Sequence, residues 1–290
     1  MEHKRKIKLL SLCIPAFLLI VMFLFVPLGN ALRISLFKWN GYSQNMKFVG
    51  LENYIYILTD KVFWRSTGNT FIYAFGSTLL QNIMGLSVAI LVNKKFKGRN
   101  VVRLVLYMPI MISGVIMGAI MSYIFDFNNG ILNNIINLFG VSSVYWMGVS
   151  MQAVIIITLV NSWQAMGFCM LIYLAGLQNV PAMYKEAARL DGVTKRQEFS
   201  KIVLPLLIPS ITIAVITNLI GGFKLYDIIV TLTGGGPNRK TLSLSYYLSL
   251  LYFNDEKAGY AAAVGVALIF IIFIVTVPIN RFLRSREVEY

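Results

Sequence analysis

The sequence predicts an all-α membrane protein with six transmembrane helices and both chain ends on the inner side (N-in/C-in). Composition, long charge-free apolar stretches and a lopsided distribution of Lys and Arg predict it. Of the 290 residues, 57% are hydrophobic and 13% charged, with a mean hydropathy of +0.70. A soluble domain carries about 25% charged residues, and disorder needs low hydrophobicity, so both classes are excluded. The formal net charge is +14. On so apolar a chain this excess reports inner loops, and no basic stripe survives for nucleic acid once the spans are removed. Cys13 and Cys169 lie in apolar runs and make neither a disulfide framework nor a metal-site spacing. His3 is the single histidine, so no catalytic or metal-binding residue is expected.

A bilayer core of about 30 Å needs roughly 20 apolar residues of helix. The charge-free stretches Leu9–Leu32, Ser66–Asn93, Leu104–Phe125, Ile202–Phe223 and Ala258–Asn280 meet this requirement. A further span fits Met151–Gly176 within the uncharged run from Phe127 to Tyr184. The expected spans are therefore about 9–32, 68–92, 104–125, 151–176, 202–224 and 259–280, in a single domain over 1–290. The first half of the uncharged run, Ile131–Gly148, sets Asn133, Asn134 and Asn137 opposite Leu132, Ile135, Ile136 and Phe139, the pattern of an interfacial helix. A seventh span there would carry three asparagines into hydrocarbon together. The first span competes with a signal peptide: Lys4, Arg5, Lys6 and Lys8 precede it and Gly29-Asn30-Ala31 resembles a cleavage site, but its apolar stretch exceeds the 7–15 residues of a signal core.

Orientation follows the cations. With the N-terminus inside, inner segments hold 17 of the 26 Lys+Arg, including Lys94, Lys95, Lys97, Arg99 and Arg103 after the second span and Lys185, Arg189, Lys195, Arg196 and Lys201 after the fourth. Trp39, Trp64, Tyr145 and Trp146 then fall in an outer aromatic belt.

The inner loop 177–201 contains a short independent helix, Ala182–Leu190. Pro181 suits its first turn and Gly192 the left-handed position beyond its end. Met183, Ala187 and Leu190 share one face, with Tyr184 and Ala188 beside them. From the residues alone, docking to a partner and resting on lipid headgroups both remain open.

Glu186-Ala187-Ala188, three residues, Gly192, nine residues, Ile202, one residue and then Leu204-Pro205 resemble the EAA signature of ABC-importer permeases. Pro181, Tyr184, Asp191, Phe199 and Pro209 sit where the sugar-importing branch has them. Asn161-Ser-Trp-Gln-Ala-Met-Gly-Phe168, Thr231-Leu-Thr-Gly-Gly-Gly-Pro237 and Gly259-Tyr-Ala-Ala-Ala263 extend the resemblance along the chain. It implies a type I ABC-importer permease of the maltose or glycerol-phosphate kind, with a coupling helix between helices 4 and 5, but without a large inserted outer domain. It also implies a multi-pass protein in the cytoplasmic (inner) membrane of a prokaryote. The implied partners are a second homologous permease in a heterodimer, two copies of an ABC ATPase, an extracytoplasmic solute-binding protein and a carbohydrate substrate.

The chain has no Gly-x-x-x-x-Gly-Lys-Ser/Thr, so ATP and Mg belong to the partner ATPase and no cofactor is expected here. The resemblance assigns ATPase coupling to Tyr184, Glu186, Ala187, Ala188, Leu190, Asp191 and Gly192. Glu186 would supply a charge pair, the alanines close contact and Gly192 the turn.

Intramembrane polar groups are costly unless they face a cavity. Asn161, Gln164 and Phe168 share one face of span four; Asn218, Gly221, Gly222 and Leu225 do the same on span five. These are the candidate substrate-path residues, although amides and glycines equally suit helix–helix contacts. Gln81-Asn82 fits the contact role better. An ion-coupled secondary transporter is the alternative, yet the span cores lack Asp, Glu and His, with only Lys224 and Asp227 near one outer end. An intramembrane enzyme would need a nucleophile elbow or an acid pair, and neither is present.

Overall fold

The first described helix, α1 (Ile14–Ile34), has 21 residues and is about 32 Å long at 1.5 Å per residue. The computed structural model describes residues 14–287; the expected contributions of Lys4, Arg5, Lys6, Lys8, residues 9–13 and His3 lie outside the described residues. After α1 come a short antiparallel hairpin, β1 (Phe37–Lys38) and β2 (Lys47–Phe48), then α2 (Glu52–Thr59), α3 (Lys61–Asn93), α4 (Arg99–Met111), α5 (Gly114–Ile124) and α6 (Ile131–Leu138). The chain continues through α7 (Ser150–Asn179), α8 (Ala182–Leu190), α9 (Lys195–Leu206), α10 (Ile208–Phe223), α11 (Asp227–Leu232), α12 (Leu244–Phe253) and α13 (Ala258–Arg284).

Among the described residues, α1, α3, α7 and α13 are each long and apolar enough to cross a membrane alone. The expected spans at 104–125 and 202–224 are bent pairs. α4 and α5 meet at 98°, and α9 and α10 at 65°. The reasons are local. Pro109 lacks an N–H inside α4, and Ser113 starts a new helix by accepting a bond from the Ile116 N–H at 3.3 Å. The Ile112 carbonyl left free at the break is taken by the Gln164 side chain at 2.8 Å. In the second pair, Pro205 and Pro209 remove two donors around the bend at Leu207. A Thr194–Gln197 capping box begins α9. The second long helix also begins at Lys61, earlier than the apolar stretch predicts.

The described chain forms two compact units. One comprises the chain up to Asp60 with Leu248–Phe270; the other comprises Lys61–Tyr247 with the chain from Ile271. The larger unit is organised around α7, half of whose apolar window is buried. Ala89 and Val92 of α3, Cys169, Met170, Tyr173, Leu174 and Leu177 of α7, Val203 of α9, Leu207 at the bend and Ala214 of α10 form one buried cluster. Tyr173 donates to the Asn82 amide oxygen and Gln81 donates to the Asn161 carbonyl at 3.2 Å, so both residues serve as α3–α7 contacts.

The interfacial helix expected over 131–148 ends at Leu138, and its Asn133 is fully buried rather than facing water. The Asn133 amide donates to the carbonyls of Asp126, Phe127 and Val144 and accepts from the Val144 N–H and the Trp146 indole, all within 3.2 Å. That inward amide fixes the loop, while Leu138 and Phe139 remain exposed. The glycine-rich segment after α11 is latched to α3 in the same way. Asn69 donates to the Lys240 and Leu242 carbonyls at 2.8 and 3.0 Å, and Tyr73 donates to the Thr241 carbonyl at 2.8 Å.

Candidate functional site

α8 spans Ala182–Leu190 as the flanking proline and glycine predict. Past its end, the Val193 N–H bonds to the Ala188 carbonyl at 3.0 Å, the long bond of a Schellman termination. Gly192 supplies the left-handed residue that this ending needs, with φ +71°. The two adjacent alanines of this helix have different surroundings. Ala188 is buried, whereas Met183, Ala187 and Leu190 are exposed, Leu190 at 90%. Glu186, Asp191 and Gly192 are exposed as well, and Tyr184 is 38% exposed. One side thus seats the helix and the other presents an apolar knob with acidic neighbours.

A cavity of about 380 Å³ lies where two helices break. Ile112, Ser113 and Gly114 from the α4–α5 break form one wall, and Lys224, Leu225 and Tyr226 between α10 and α11 form another. Asn161, Gln164 and Ala165 of α7 complete it. The backbone of both breaks lines this cavity.

The structure divides the seven candidate path residues. Asn161, Gln164, Gly221 and Leu225 line this cavity. Phe168, one turn beyond Gln164, is half-buried and off its wall. Asn218 is buried and donates to Cys169 Sγ at 2.7 Å, a contact between α10 and α7. Adjacent glycines on α10 have opposite surroundings. A Cβ at Gly221 would meet nothing within 4 Å, whereas one at Gly222 would lie 2.6 Å from the Ala74 Cα.

Sequence reasoning left Ser113, Lys224, Tyr226 and Asp227 out of the path, and all four line the cavity. Lys224 and Asp227 flank the α10–α11 break; the charge at the end of an apolar run was the available signal. Tyr226 packs edge-to-face on Tyr246 at 5.5 Å. Burial, then Tyr226, push the Tyr246 hydroxyl above the ordinary tyrosine range, with Arg239 opposing.

Residues 81–287 match the model of the binding-protein-dependent transport system inner membrane component family. The chain belongs to that family. The permease is 34% identical over 275 residues to the trehalose/maltose transport system permease protein MalF of Thermococcus litoralis, covering 94% of this chain and 93% of that one. It is 32% identical to the multiple sugar-binding transport system permease protein MsmF of Streptococcus mutans, covering 96% and 95%. A solved bacterial alginate ABC transporter, in complex with its alginate pentasaccharide-bound periplasmic protein, contains a chain of the same fold. The TM-score is 0.84 at 22% identity, over 98% of this chain and 96% of that one. The protein is therefore the multi-pass membrane component of a binding-protein-dependent ABC importer, a permease subunit rather than an enzyme.

Proposed function

We propose that this permease imports a carbohydrate, an oligosaccharide or sugar derivative, driven by ATP hydrolysis on a separate subunit. The observation that carries the reading is the small polar cavity at the two helix breaks. Its amide, hydroxyl and phenol groups, from Gln164, Asn161, Ser113 and Tyr226, suit a ligand that offers many hydroxyls. Broken helices are where transporters commonly hold substrate. The sugar systems named for the relatives support the same substrate class. Asn161, Gln164, Gly221 and Leu225 form the path at this cavity. Phe168 lies along its continuation on α7, and Asn218 and Gly222 set the α10 contacts that hold its wall.

In this reading the six crossings are α1, α3, the α4–α5 pair, α7, the α9–α10 pair and α13, with both ends of the chain in the cytosol. They make one permease domain over 1–290. The loop 177–201 carries α8 as the coupling helix, seated by Ala188. Tyr184, Ala187 and Leu190 enter a cleft on the ATPase, Glu186 and Asp191 add charge at the rim, and Gly192 sets the exit angle. ATP and Mg act on two ATPase copies, and their closure rocks the spans between outward- and inward-open states. A second homologous permease completes the pathway, and an extracytoplasmic binding protein delivers the sugar. The assembly belongs in the cytoplasmic membrane of a prokaryote.

The test is uptake of labelled saccharides into proteoliposomes containing the permease pair, the ATPase and the binding protein. ATP-dependent accumulation of a saccharide is expected. Accumulation only of amino acids or ions, or saccharide uptake without the ATPase, would overturn the reading.

A further inference from the structure

The smaller compact unit holds a second cavity, of about 710 Å³, walled by the segment after β1, α2 and the approach to α13. Ligand pockets run to roughly 300–1,000 Å³, so it has the size of a binding site. Its walls are built rather than incidental. Asn53 of α2 donates to the Ser35 and Phe37 carbonyls at 2.7 and 3.0 Å, tying that helix to the hairpin. Asn40 accepts from the N–H groups of Tyr42 and Ser43, and the Trp39 indole donates to the Ser43 carbonyl at 2.8 Å. The Gly259 N–H bonds the Trp39 carbonyl at 3.0 Å, and a Cβ there would overlap the Phe37 carbonyl oxygen, so α13 starts hard against the hairpin. Tyr260 donates to the buried Asp60 carboxylate at 2.6 Å and packs edge-to-face on Tyr56 at 4.9 Å.

The lining combines aromatic rings, from Trp39, Tyr56 and Tyr260, with Glu52 and Glu256 balanced by Lys38 and Lys257. Two acids against two lysines leave no net charge to select an ion. Carboxylates accept from paired hydroxyls, lysines donate to them, and ring faces cover the apolar face of a pyranose. Glu256 holds its place from a left-handed backbone position, φ +51°, which a residue of its kind rarely adopts. Strain of that sort concentrates where a side chain must be aimed.

We propose that this cavity is a saccharide subsite separate from the cavity at the helix breaks, where a short neutral saccharide binds on the outer face of the permease. The proposal rests on the reading above, which sets this face outside and makes the cargo a sugar. The sequence marks this surface only as two outer loops, Phe37–Arg65 and Thr231–Lys257, the expected receptor surfaces for the binding protein. The ring faces and the charge balance, brought together by folding, identify the ligand class.

Saturation-transfer NMR on the full chain assembled with its partner permease and ATPase, without the binding protein, in lipid nanodiscs tests it, with maltotriose and trehalose as probes and glycerol as the non-pyranose control. Saccharide saturation is expected, with glycerol silent. Glu52→Gln and Glu256→Gln should each weaken binding about tenfold without lowering the unfolding temperature. Retained affinity in both folded variants, with loss in Asn161→Ala, would move the signal to the membrane cavity and overturn the subsite. Absence of saturation in assemblies that do import saccharides would overturn the subsite and leave the import reading standing. Assemblies that import no saccharide of any kind would take down both.

Discussion

Replacing Gly192 by valine separates the coupling reading from its competitors. The residue sits at φ +71° with no atom within 4 Å of an added Cβ, so the cost of substitution is conformational and not steric. An L-residue in the left-handed region costs about 1–2 kcal/mol, and a β-branched one is a true outlier there. The bond from the Val193 N–H to the Ala188 carbonyl depends on the same conformation. The chain escapes the strain by abandoning that ending, which re-aims α8 relative to Val193 and α9. A penalty of about 1.4 kcal/mol corresponds to a tenfold change in an equilibrium. Uptake in reconstituted vesicles should therefore fall about tenfold in Gly192→Val while ATP hydrolysis by the assembly persists. Gly192→Asn should lose far less, because asparagine tolerates the left-handed region, and Gly192→Ala should fall between them. Unchanged uptake in the valine variant, or equal loss in all three, would refute the role of this turn in coupling.

The adjacent glycines on α10 give a paired prediction. Gly222→Ala forces a methyl to within 2.6 Å of the Ala74 Cα and should destabilise the detergent-solubilised protein by about 1–3 kcal/mol. Gly221→Ala enters open space and should leave the unfolding temperature in place while narrowing the cavity and altering uptake. Gln164→Leu removes the hydrogen bond to the part-buried Ile112 carbonyl at the α4–α5 break, a loss of about 0.5–1.5 kcal/mol; a thermal unfolding shift and reduced uptake should appear together. Uptake should continue when a protonophore collapses the proton gradient and ATP is supplied inside, and its arrest under those conditions would favour ion coupling.

Much of the architecture was legible because hydropathy acts locally. A run of apolar residues long enough for a bilayer needs no tertiary information, and α1, α7 and α13 lie where such runs predict them. The bounds of α8 were legible for a similar reason, since Pro181 and Gly192 act on their own backbone. The two bends were not read, although Pro109, Pro205 and Pro209 were visible, because a proline in an apolar helix can be tolerated, kink it or end it. Here the outcome depends on Gln164 reaching across from α7 to satisfy Ile112. Asn133 was misplaced for the opposite reason: helical periodicity set it on a polar face, whereas five hydrogen bonds from the surrounding loop pay for its burial.

By itself the sequence determined that the chain is a helical membrane protein, where its apolar runs fall and where a short helix stands between two of them. Each of these follows from transfer free energy or backbone preference over a few neighbouring residues. Only the tertiary structure decided which polar residues meet. Gly221 faces a cavity while Gly222 presses on another helix, and Lys224 joins Asn161 across a break. Such placements depend on the angle at which α10 packs and on the bends that open space beside it, and those are set by contacts far apart along the chain.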